Sequence, residues 1–465
     1  MSHSIRSTCR LCSSDRLETL LKLPDTPLAN EYQKEPEGAI VHAKVVDGLS
    51  YPTMALQPAE RFPLYLVGCS SCGHVQLPVV VDPKRLFPPS YPYQSGTSAV
   101  FREHLVKLAT TLDALLPGPR RRSLDIACND GSLVEEMRRL GVWAQGIDPC
   151  APDEQGYYRA FFNEEWAKAN RPGFAFKPPK SQNVQVWLWS FITALNVFAH
   201  VDDLDDFTRG VHTLLEPCGL FVIECAYLPD MIRQGVFCTV YHEHLGFHHL
   251  APLVPFFERH GMRIVDAHRV DSQGGSVRIY VRNCTSQHVG GDDGHNLQSE
   301  RLKRLLAEET NQGIWPGVRA LKDSVASERK WLLSFARHHK LTGKPIAIYG
   351  APAKLTTYMH ATGLFPERVG LVCDDNPRKI GKYVPGTRLL IEPTSKLREY
   401  QPSGILCASW NFASDIRARH ADIGAEWYVP YEARQPSICP RGHDLDEKSE
   451  CAECGLKVSY KSHVA

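Results

Sequence analysis

The sequence has almost no excess of either charge: 53 Lys and Arg stand against 52 Asp and Glu, a formal net charge of +1. This balance argues against a nucleic-acid binder or an anionic-membrane binder, because both use a field of one sign. No apolar run approaches the roughly 20 residues of a membrane span. The opening MSHSIRSTCRLC also lacks the apolar core of a signal peptide. We therefore expect a cytoplasmic protein with neither nucleic acid nor membrane as partner.

What the sequence does contain is cysteine in spaced pairs. Cys9 and Cys12 form one CxxC pair, and Cys69 and Cys72 form a second. Without a secretion signal, such pairs bind metal more often than they form disulfides. Four thiolates suit a structural zinc ion and leave no open position for catalysis. The 56 residues between the pairs imply an inserted hairpin.

The last 30 residues contain a less regular set of the same residue types. Cys439, His443, Cys451 and Cys454 would form a Cys₃His zinc knuckle. A cysteine-bearing tail without metal is an equally good interpretation of this spacing.

Strand and helix patterns alternate in the middle of the chain and again from Ile346. In the first run, SLDIAC, VWAQGID, VQVWLWSFITAL and GLFVIECAY read as strands, and LDDFTRGVHTLLEPCG reads as a helix ending at Gly219. The fold class predicted is α/β, with a small N-terminal zinc-binding domain and two Rossmann-like domains. We place these domains at residues 1–92, 93–290 and 291–435, followed by the tail 436–465.

A polar turn follows the first strand of the central domain. Asp125 ends the strand, Asn129, Asp130 and Gly131 form the turn, and Asp148 stands 17 residues beyond that glycine. Doubly wound folds hold a nucleoside with such a turn and with a carboxylate that accepts from ribose hydroxyls. The turn lacks GxGxxG, which disfavours a dinucleotide. S-adenosylmethionine, which has no diphosphate, suits it better, and an ordinary βα turn is the alternative.

The stretch CTVYHEHLGFHHL, residues 238–250, is unusually rich in histidine. A zincin would need HExxH, but Gly246 stands where the second histidine should be. His244 and His248 are four residues apart and could share a metal on a helix face, yet no third ligand is evident. An acid–base cluster and a polar loop are the other interpretations. His248 and His249 are expected to be solvated or to belong to a lid.

Six segments in this order resemble a known family: CxxC…CxxC, DIACNDGSL, LNVFAHVDDL, YHEHLGF, QGGSVRIYV and AIYGAPAKLTTYM. The chain resembles the sugar C-methyltransferases, which use S-adenosylmethionine to methylate a carbon of a nucleotide-linked 4-keto-deoxysugar in antibiotic or polysaccharide pathways. The resemblance implies a zinc domain, a central methyltransferase domain and a C-terminal Rossmann-like domain. It also implies that the sugar nucleotide, probably linked to thymidine diphosphate, binds between the last two domains.

The resemblance also assigns roles to residues of this chain. Asp125, Asn129, Asp130, Gly131 and Asp148 fall in the cofactor motif. The remaining matches are Asn196 and His200 at the methyl-transfer site (Asn196 also on the cofactor side), Tyr241, Glu243 and His244 beside the reacting carbon, Tyr91 and Tyr93 as substrate or lid residues, and Lys354 at the diphosphate. Read without the family, His200 could be a core histidine, and Asn196 could cap the helix that begins near Asp202.

Methylation at carbon next to a ketone needs a base and a donor for the enolate oxygen. Histidine titrates near ~6.5, so we expect His244 to be the base. Glu243 would orient it or act as the alternate base, and Tyr241 would bond on the enolate side.

Five features depart from the family. Ala127 replaces a glycine, Pro352 and Leu355 alter the C-terminal turn, and residues 171–190 match nothing expected. The stretch between Asp148 and Phe161 is shorter than in relatives, and the tail 436–465 is additional.

These departures keep two other functions open. One is a catalytically impaired relative that still binds a nucleotide sugar. The other is a zinc-ribbon protein that binds nucleic acid, which the near-zero net charge and the lack of an aromatic–basic stripe disfavour. The sequence does not decide between a monomer and a dimer.

Overall fold

The computed structural model describes residues 3–34, 40–46, 49–55, 59–115, 121–171, 188–283, 298–364 and 366–432, with backbone only for 40–46 and 49–55. The chain divides into two compact units. The first comprises residues 1–21, 65–233 and 243–319, and the second comprises 22–64, 234–242 and 320–465. In the described ranges, no helix has the length and apolarity that a membrane crossing requires.

The strands and helices are numbered in chain order. The strands are β1 (His3–Ile5), β2 (Leu17–Thr26), β3 (Ile40–Val46), β4 (Leu49–Ala55), β5 (Phe62–Cys69), β6 (Val75–Gln76), β7 (Val79–Val81), β8 (Arg122–Ile126), β9 (Trp143–Ile147), β10 (Tyr157–Tyr158), β11 (Trp189–Leu195), β12 (Leu215–Ala226), β13 (Gly246–Phe247), β14 (Met262–Val270), β15 (Ser276–Asn283), β16 (Ile346–Tyr349), β17 (Val369–Asp374), β18 (Ile391–Pro393), β19 (Gly404–Cys407) and β20 (Glu426–Tyr428). The helices are α1 (Pro83–Leu86), α2 (Ala99–Leu115), α3 (Ser132–Arg139), α4 (Glu164–Ala169), α5 (Leu204–Leu214), α6 (Leu228–Gln234), α7 (Leu250–Arg259), α8 (Glu300–Gln312), α9 (Ile314–Thr342), α10 (Ala353–Thr362), α11 (Lys396–Tyr400) and α12 (Ala413–Arg419).

A seven-stranded sheet forms the centre of the first unit, in the order β10–β9–β8–β11–β12–β15–β14. The pairs from β10 to β12 are parallel, and β15 runs antiparallel to both β12 and β14. The chain winds outward from β8 to β10 and then returns to β11 on the other side of β8. Ligands of doubly wound sheets bind at such a reversal, outside the carboxyl ends of the strands.

Alternation along the strands fills a core on each face of this sheet. In β12, Leu220 and Val222 pack with α2 and α3, whereas Phe221 and Ile223 pack with α5 and α7. Successive strand residues point to opposite faces, so an almost continuous apolar run is what a sheet covered on both sides requires. The predicted α/β class and Rossmann-like central fold are confirmed.

The region of the cysteine pairs contains a four-stranded sheet in the order β13–β6–β5–β2. Between the two pairs, β3 and β4 form an antiparallel hairpin in which Val46 pairs with Leu49. The hairpin predicted from the long spacing is therefore present.

The second unit contains a five-stranded parallel sheet in the order β18–β17–β16–β19–β20. Here the reversal lies between β16 and β19, the same winding as in the first unit. The Rossmann-like pattern predicted from Ile346 onward is confirmed, and α10 follows β16 directly.

One predicted boundary is wrong. The helix expected to end at Gly219 ends at Leu214, and β12 begins at Leu215. Pro217 lacks the N–H that a continuing helix needs, and the segment before Leu220 joins the sheet beside β11 with a shift in register. The four-part division at 92, 290 and 435 stays a prediction, and most of 171–190 and the whole of 436–465 lie outside the described residues.

Candidate active site

The turn between β8 and α3 has an unusual backbone. Ala127, Asn129 and Gly131 all have positive φ, at 58°, 52° and 80°. A glycine is needed at 131, because a Cβ there would lie 2.4 Å from the Tyr157 hydroxyl. Ala127 has the left-handed conformation that a glycine would adopt without strain. Ala127 therefore has the backbone conformation that favours the glycine expected at this position.

Two carboxylates flank this turn. Asp148 accepts from the backbone N–H of Asn129 at 3.1 Å and of Cys150 at 2.6 Å, which ties the end of β9 to the turn. Asp125 is buried and accepts from the Thr193 hydroxyl at 2.6 Å. Burial raises the pKa of Asp148 and raises that of Asp125 to about 7. Asp148 keeps acceptor capacity for a ligand hydroxyl, since a carboxylate can accept about four hydrogen bonds.

The side chains of Asn129 and Asp130 bind protein backbone. Asn129 donates to the Tyr93 carbonyl and accepts from the Ser95 N–H, both at 3.1 Å. Asp130 accepts from the Gly96 N–H at 2.7 Å. Asp130 also accepts from the backbone N–H and the hydroxyl of Ser132 at the start of α3. Both residues are predicted to bind the cofactor, but these bonds engage them with protein groups, chiefly the segment before α2.

Two histidines meet just beyond the carboxyl end of β11. The rings of His200 and His244 have centroids 5.1 Å apart. His200 ends the 3-10 turn Phe198–His200, and the N–H of Leu245 donates to the Ala199 carbonyl at 2.7 Å. That backbone bond joins two segments distant in sequence and brings the two imidazoles together.

A tyrosine and a carboxylate complete the cluster. The Tyr91 hydroxyl donates to Glu243 Oε2 at 2.6 Å. The Phe87 ring lies 5.5 Å from both the Tyr91 ring and the His200 ring. Tyr91, Glu243, His200 and His244, all predicted from sequence, therefore lie in one connected group at the carboxyl edge of the sheet.

Burial sets the protonation of His200. Its pKa is well below the usual 6.5, because the ring is desolvated and His244 is adjacent. His200 is consequently a neutral imidazole at neutral pH, with one ring nitrogen able to donate and the other able to accept. A neutral neighbour places no fixed positive charge beside His244 to oppose proton uptake.

Asn196 and Tyr93 lie near the same edge. Asn196 follows β11 with φ 55°, and its N–H donates to the Glu224 carbonyl at 2.6 Å. It does not cap α5, because Asp203 does so by accepting from the Asp206 N–H. The Tyr93 hydroxyl accepts from Gln273 Nε2 at 3.2 Å, and desolvation raises its pKa to about 12 although 41% of the residue is exposed.

Three other residues of the histidine-rich stretch have different surroundings. His248 and His249 are 1% and 3% exposed, so the expectation that they are solvated is wrong. The His248 ring stacks on His74 at 5.5 Å, inside the first unit. Tyr241 belongs to the 234–242 segment of the second unit and is buried there. The stretch is not a helix, which removes the basis for a His244–His248 metal pair.

Sequence reasoning missed a buried ion pair, Glu224 with Arg278, and the histidine that contacts it beside the site. Glu224 on β12 is fully buried, and Arg278 on β15 donates to its Oε2 from Nε at 3.1 Å. His104 on α2 lies 2.8 Å from Oε1. Although burial opposes ionisation, His104 and Arg278 lower the pKa of Glu224. The sequence does contain a signal for this pair: each of two otherwise apolar strands, LFVIECA and SVRIYV, contains one charged residue.

Lys354 lies at the strand reversal of the second unit, in the first turn of α10. Its Nζ is 3.3 Å from Asn411 Oδ1 and 4.8 Å from the centre of the Trp410 ring. Desolvation lowers its pKa. Gly350 precedes it with φ 86°, and a Cβ there would collide with the Ser409 hydroxyl. A cation beside a helix N-terminus can bind an anion together with backbone N–H groups.

The four N-terminal cysteines form one cluster. Their sulfur atoms all lie within 4.8 Å of one another, with Cys9 to Cys72 at 3.6 Å and Cys12 to Cys69 at 3.5 Å. A tetrahedral ion with bonds of about 2.3 Å separates its sulfur ligands by about 3.8 Å, so the spacing fits a zinc ion. The contact between Cys9 and Cys72 lowers the pKa of Cys9 and raises that of Cys72, so Cys9 is the first of the two thiols to become a thiolate. Cys439, His443, Cys451 and Cys454 lie outside the described residues.

Known proteins resemble the chain in both units. Residues 101–267 match the model of a methyltransferase domain, and residues 271–430 match that of a C-methyltransferase C-terminal domain. The C-methyltransferase NovU of Streptomyces niveus is 27% identical over 430 residues, 91% of this chain and 94% of NovU. The CcbJ methyltransferase structure from Streptomyces caelestis has 15% identity and a TM-score of 0.27, and the match covers 39% of this chain and 90% of CcbJ.

Proposed function

Because this chain belongs to the S-adenosylmethionine-dependent C-methyltransferases, we propose that it methylates a carbon atom of a nucleotide-linked 4-keto-deoxysugar. The observation that carries the proposal is the His200–His244 pair beside the Tyr91–Glu243 bond. These groups lie at the same sheet edge as the nucleoside-binding turn. A base next to a methyl donor is what carbon methylation needs.

The proposed reaction uses the residues of this cluster. His244 removes the proton from the carbon next to the ketone, and the electrons of that C–H bond pass into an enolate. When bound, S-adenosylmethionine would supply the electrophilic methyl group, its sulfonium S–C bond breaking as the enolate carbon forms the new C–C bond. Glu243 orients the imidazole, and neutral His200 donates to the enolate oxygen.

The cofactor turn has the features that this donor requires. Asp148 would accept from the ribose hydroxyls, and the 127–131 turn, Asp125 and Asn196 would bind the rest of the cofactor. No diphosphate needs to be cradled, which agrees with a turn that contains one glycine.

At the acceptor, Lys354 pairs with the diphosphate of the sugar nucleotide. Its partly buried ammonium group and the α10 N-terminus offer the two components of a phosphate site. Tyr91 and Tyr93 contact the sugar. We also propose that Cys9, Cys12, Cys69 and Cys72 hold a structural zinc ion.

The test is product analysis with methyl-¹³C S-adenosylmethionine and a thymidine-diphosphate 4-keto-deoxysugar. We expect a new ¹³C methyl signal, attached to a ring carbon, in the NMR spectrum of the product. A methyl group on oxygen, or no transfer when calorimetry shows that S-adenosylmethionine binds, would refute the proposal. Absence of cofactor binding would instead favour an impaired relative.

A further inference from the structure

The segment between α1 and α2, residues 91–96, is held to the active-site edge at three points. We define this segment as the strap. Its first anchor is the Tyr91–Glu243 bond. We propose that Asn129, Asp130 and Gln273 are positioning residues, which fix the strap so that Tyr91 and Tyr93 are preset for the methyl acceptor.

The second anchor is the cofactor turn. Asn129 uses its amide nitrogen on the Tyr93 carbonyl and its amide oxygen on the Ser95 N–H. Asp130 accepts from the Gly96 N–H, and the fit leaves no room for a larger residue. A Cβ at Gly96 would lie 2.8 Å from the Ser132 hydroxyl and 3.0 Å from Asp130 Oδ2. The side chains thus bind backbone that only glycine allows to come so close.

The third anchor is the turn between β14 and β15. Gln273 donates from Nε2 to the Tyr93 hydroxyl at 3.2 Å. Its φ is 54°, and Gly274 and Gly275 follow at 92° and 111°. A glutamine in the left-handed region costs free energy that a glycine there would not, and such strain concentrates at functional sites. The bond to Tyr93 gives that strain a function.

The three anchors differ in what they connect. One reaches the carboxylate beside the proposed base, one reaches the turn that receives the nucleoside, and one reaches the phenol of Tyr93. A change at the cofactor turn is therefore transmitted to the two tyrosines through a few hydrogen bonds. Arg102 at the start of α2 also donates to the Gly96 carbonyl, which fixes the far end of the strap.

Hydrogen exchange tests the strap without reference to any reaction. With the protein loaded with S-adenosylhomocysteine, Gln273→Leu should accelerate exchange of the Ser95 and Gly96 amides about tenfold, because one hydrogen-bonded anchor is lost. Asp130→Ala should do the same at Gly96. Gln312→Leu is the matched control, since Gln312 also donates an amide bond, to the Pro229 carbonyl at 2.8 Å. If the Ser95 and Gly96 amides of both strap variants exchange at the wild-type rate, the inference is overturned.

A double-mutant cycle tests the link to Tyr93, and only this arm rests on the proposed function. Gln273→Leu and Tyr93→Phe should each lower kcat/KM for the acceptor about tenfold, and the double variant should lose no more than either single one. Affinity for S-adenosylmethionine should change less than about twofold. Additive losses, or no loss in Gln273→Leu, contradict the positioning role. If neither the wild type nor any variant transfers a methyl group to a ketosugar, the proposed function is wrong. The hydrogen-exchange result still tests whether the three anchors hold the strap.

Discussion

His244 carries the chemistry at the scale of single residues. Its ring contacts that of His200, and its neighbour Glu243 accepts from Tyr91. We expect His244→Ala to lower kcat at least about a hundredfold, the usual contribution of a general base. Affinity for S-adenosylmethionine should stay nearly unchanged, as calorimetry can measure. The control is His3→Ala, in the short strand β1. His248 is unsuitable as a control because it is buried. Equal losses of kcat in His244→Ala and His3→Ala would contradict the assignment of His244 as the base.

Ala127 offers a stability test of the strained turn. At φ 58° an alanine costs about 1–2 kcal/mol, which a glycine would avoid. The greater conformational freedom of glycine in the unfolded state would offset this gain by about 0.5–1 kcal/mol. We therefore expect Ala127→Gly to raise the free energy of unfolding by up to about 1 kcal/mol in urea titrations. Ala109→Gly in α2 should have the opposite sign. Destabilisation by both changes would show that the turn tolerates alanine without strain.

The pKa of Asp125 predicts a pH dependence. Burial raises it from 3.8 to about 7 in the folded protein, so the folded state holds the proton more tightly than the unfolded state. Its contribution to stability is therefore full below pH 3.8 and declines as the pH rises to about 7. Asp125→Asn removes this decline and keeps an acceptor for Thr193. The stability of the variant relative to wild type should increase from pH 5 to pH 7 and then level off; a constant difference contradicts the raised pKa.

Single residues also show how much of the candidate site could be predicted from the sequence. The partners Tyr91, Glu243, His200 and His244 were each predicted from motifs, and the structure brings them together. The bonds of Asn129 and Asp130 to residues 93–96 were not predictable, because a polar turn looks the same whether it faces a ligand or another loop.

At the scale of elements, the contacts of Glu224 with His104 and Arg278 join α2 to β12 and β15. Removing Arg278 takes the guanidinium partner away from the buried Glu224 carboxylate, so Arg278→Met should cost about 3–5 kcal/mol. The double variant Glu224→Gln with Arg278→Met should recover much of that loss, as urea titrations would reveal. Lys107→Ala, which breaks an exposed ion pair with Glu103 on α2, should change stability little. A double variant as unstable as Arg278→Met would contradict this account.

Most elements followed from their patterns. Apolar residues at 101, 105, 108, 112 and 115 predict a helix with one apolar face. The first four are buried in α2, whereas Leu115, at the end of the helix, is 45% exposed. The predicted α5 boundary is wrong because the apolar pair Leu214–Leu215 suits a helix and a buried strand equally, and Gly219 suggests a helix end although Pro217 stands before it. There the pairing with β11, which no local pattern contains, decides the structure.

At the scale of the whole molecule, the cysteine cluster and the histidine site are linked within the first unit. The N–H of Cys69 donates to the His74 carbonyl, and Val75–Gln76 of β6 pairs with Gly246–Phe247 of β13. β13 begins two residues after His244. A metal ion on the four thiolates would therefore hold the strand that fixes the base.

Metal removal tests this link. Chelation should lower the melting temperature and accelerate amide exchange at Leu245, whose N–H bonds to Ala199. Zinc should restore both. As a control, Cys373→Ser alters a buried thiol outside the cluster and should leave zinc content unchanged. A protein isolated without bound metal, or one whose Leu245 exchange ignores chelation, would contradict the zinc assignment or the link respectively.

The interleaving of the two units could not be predicted from a linear interpretation. Residues 22–64 and 234–242 belong to the second unit, although each is surrounded in sequence by segments of the first. Local periodicity identifies strands and helices, but membership of a unit depends on contacts between residues distant in the chain.

Solvent isotope exchange tests the central claim most directly. The wild type, the ketosugar nucleotide and S-adenosylhomocysteine in D₂O allow proton removal while blocking methyl transfer. The account predicts that deuterium enters the carbon beside the ketone with wild type and hardly at all with His244→Ala. If wild type methylates this sugar with S-adenosylmethionine but introduces no deuterium there, or if His244→Ala exchanges at the wild-type rate, His244 does not form the enolate.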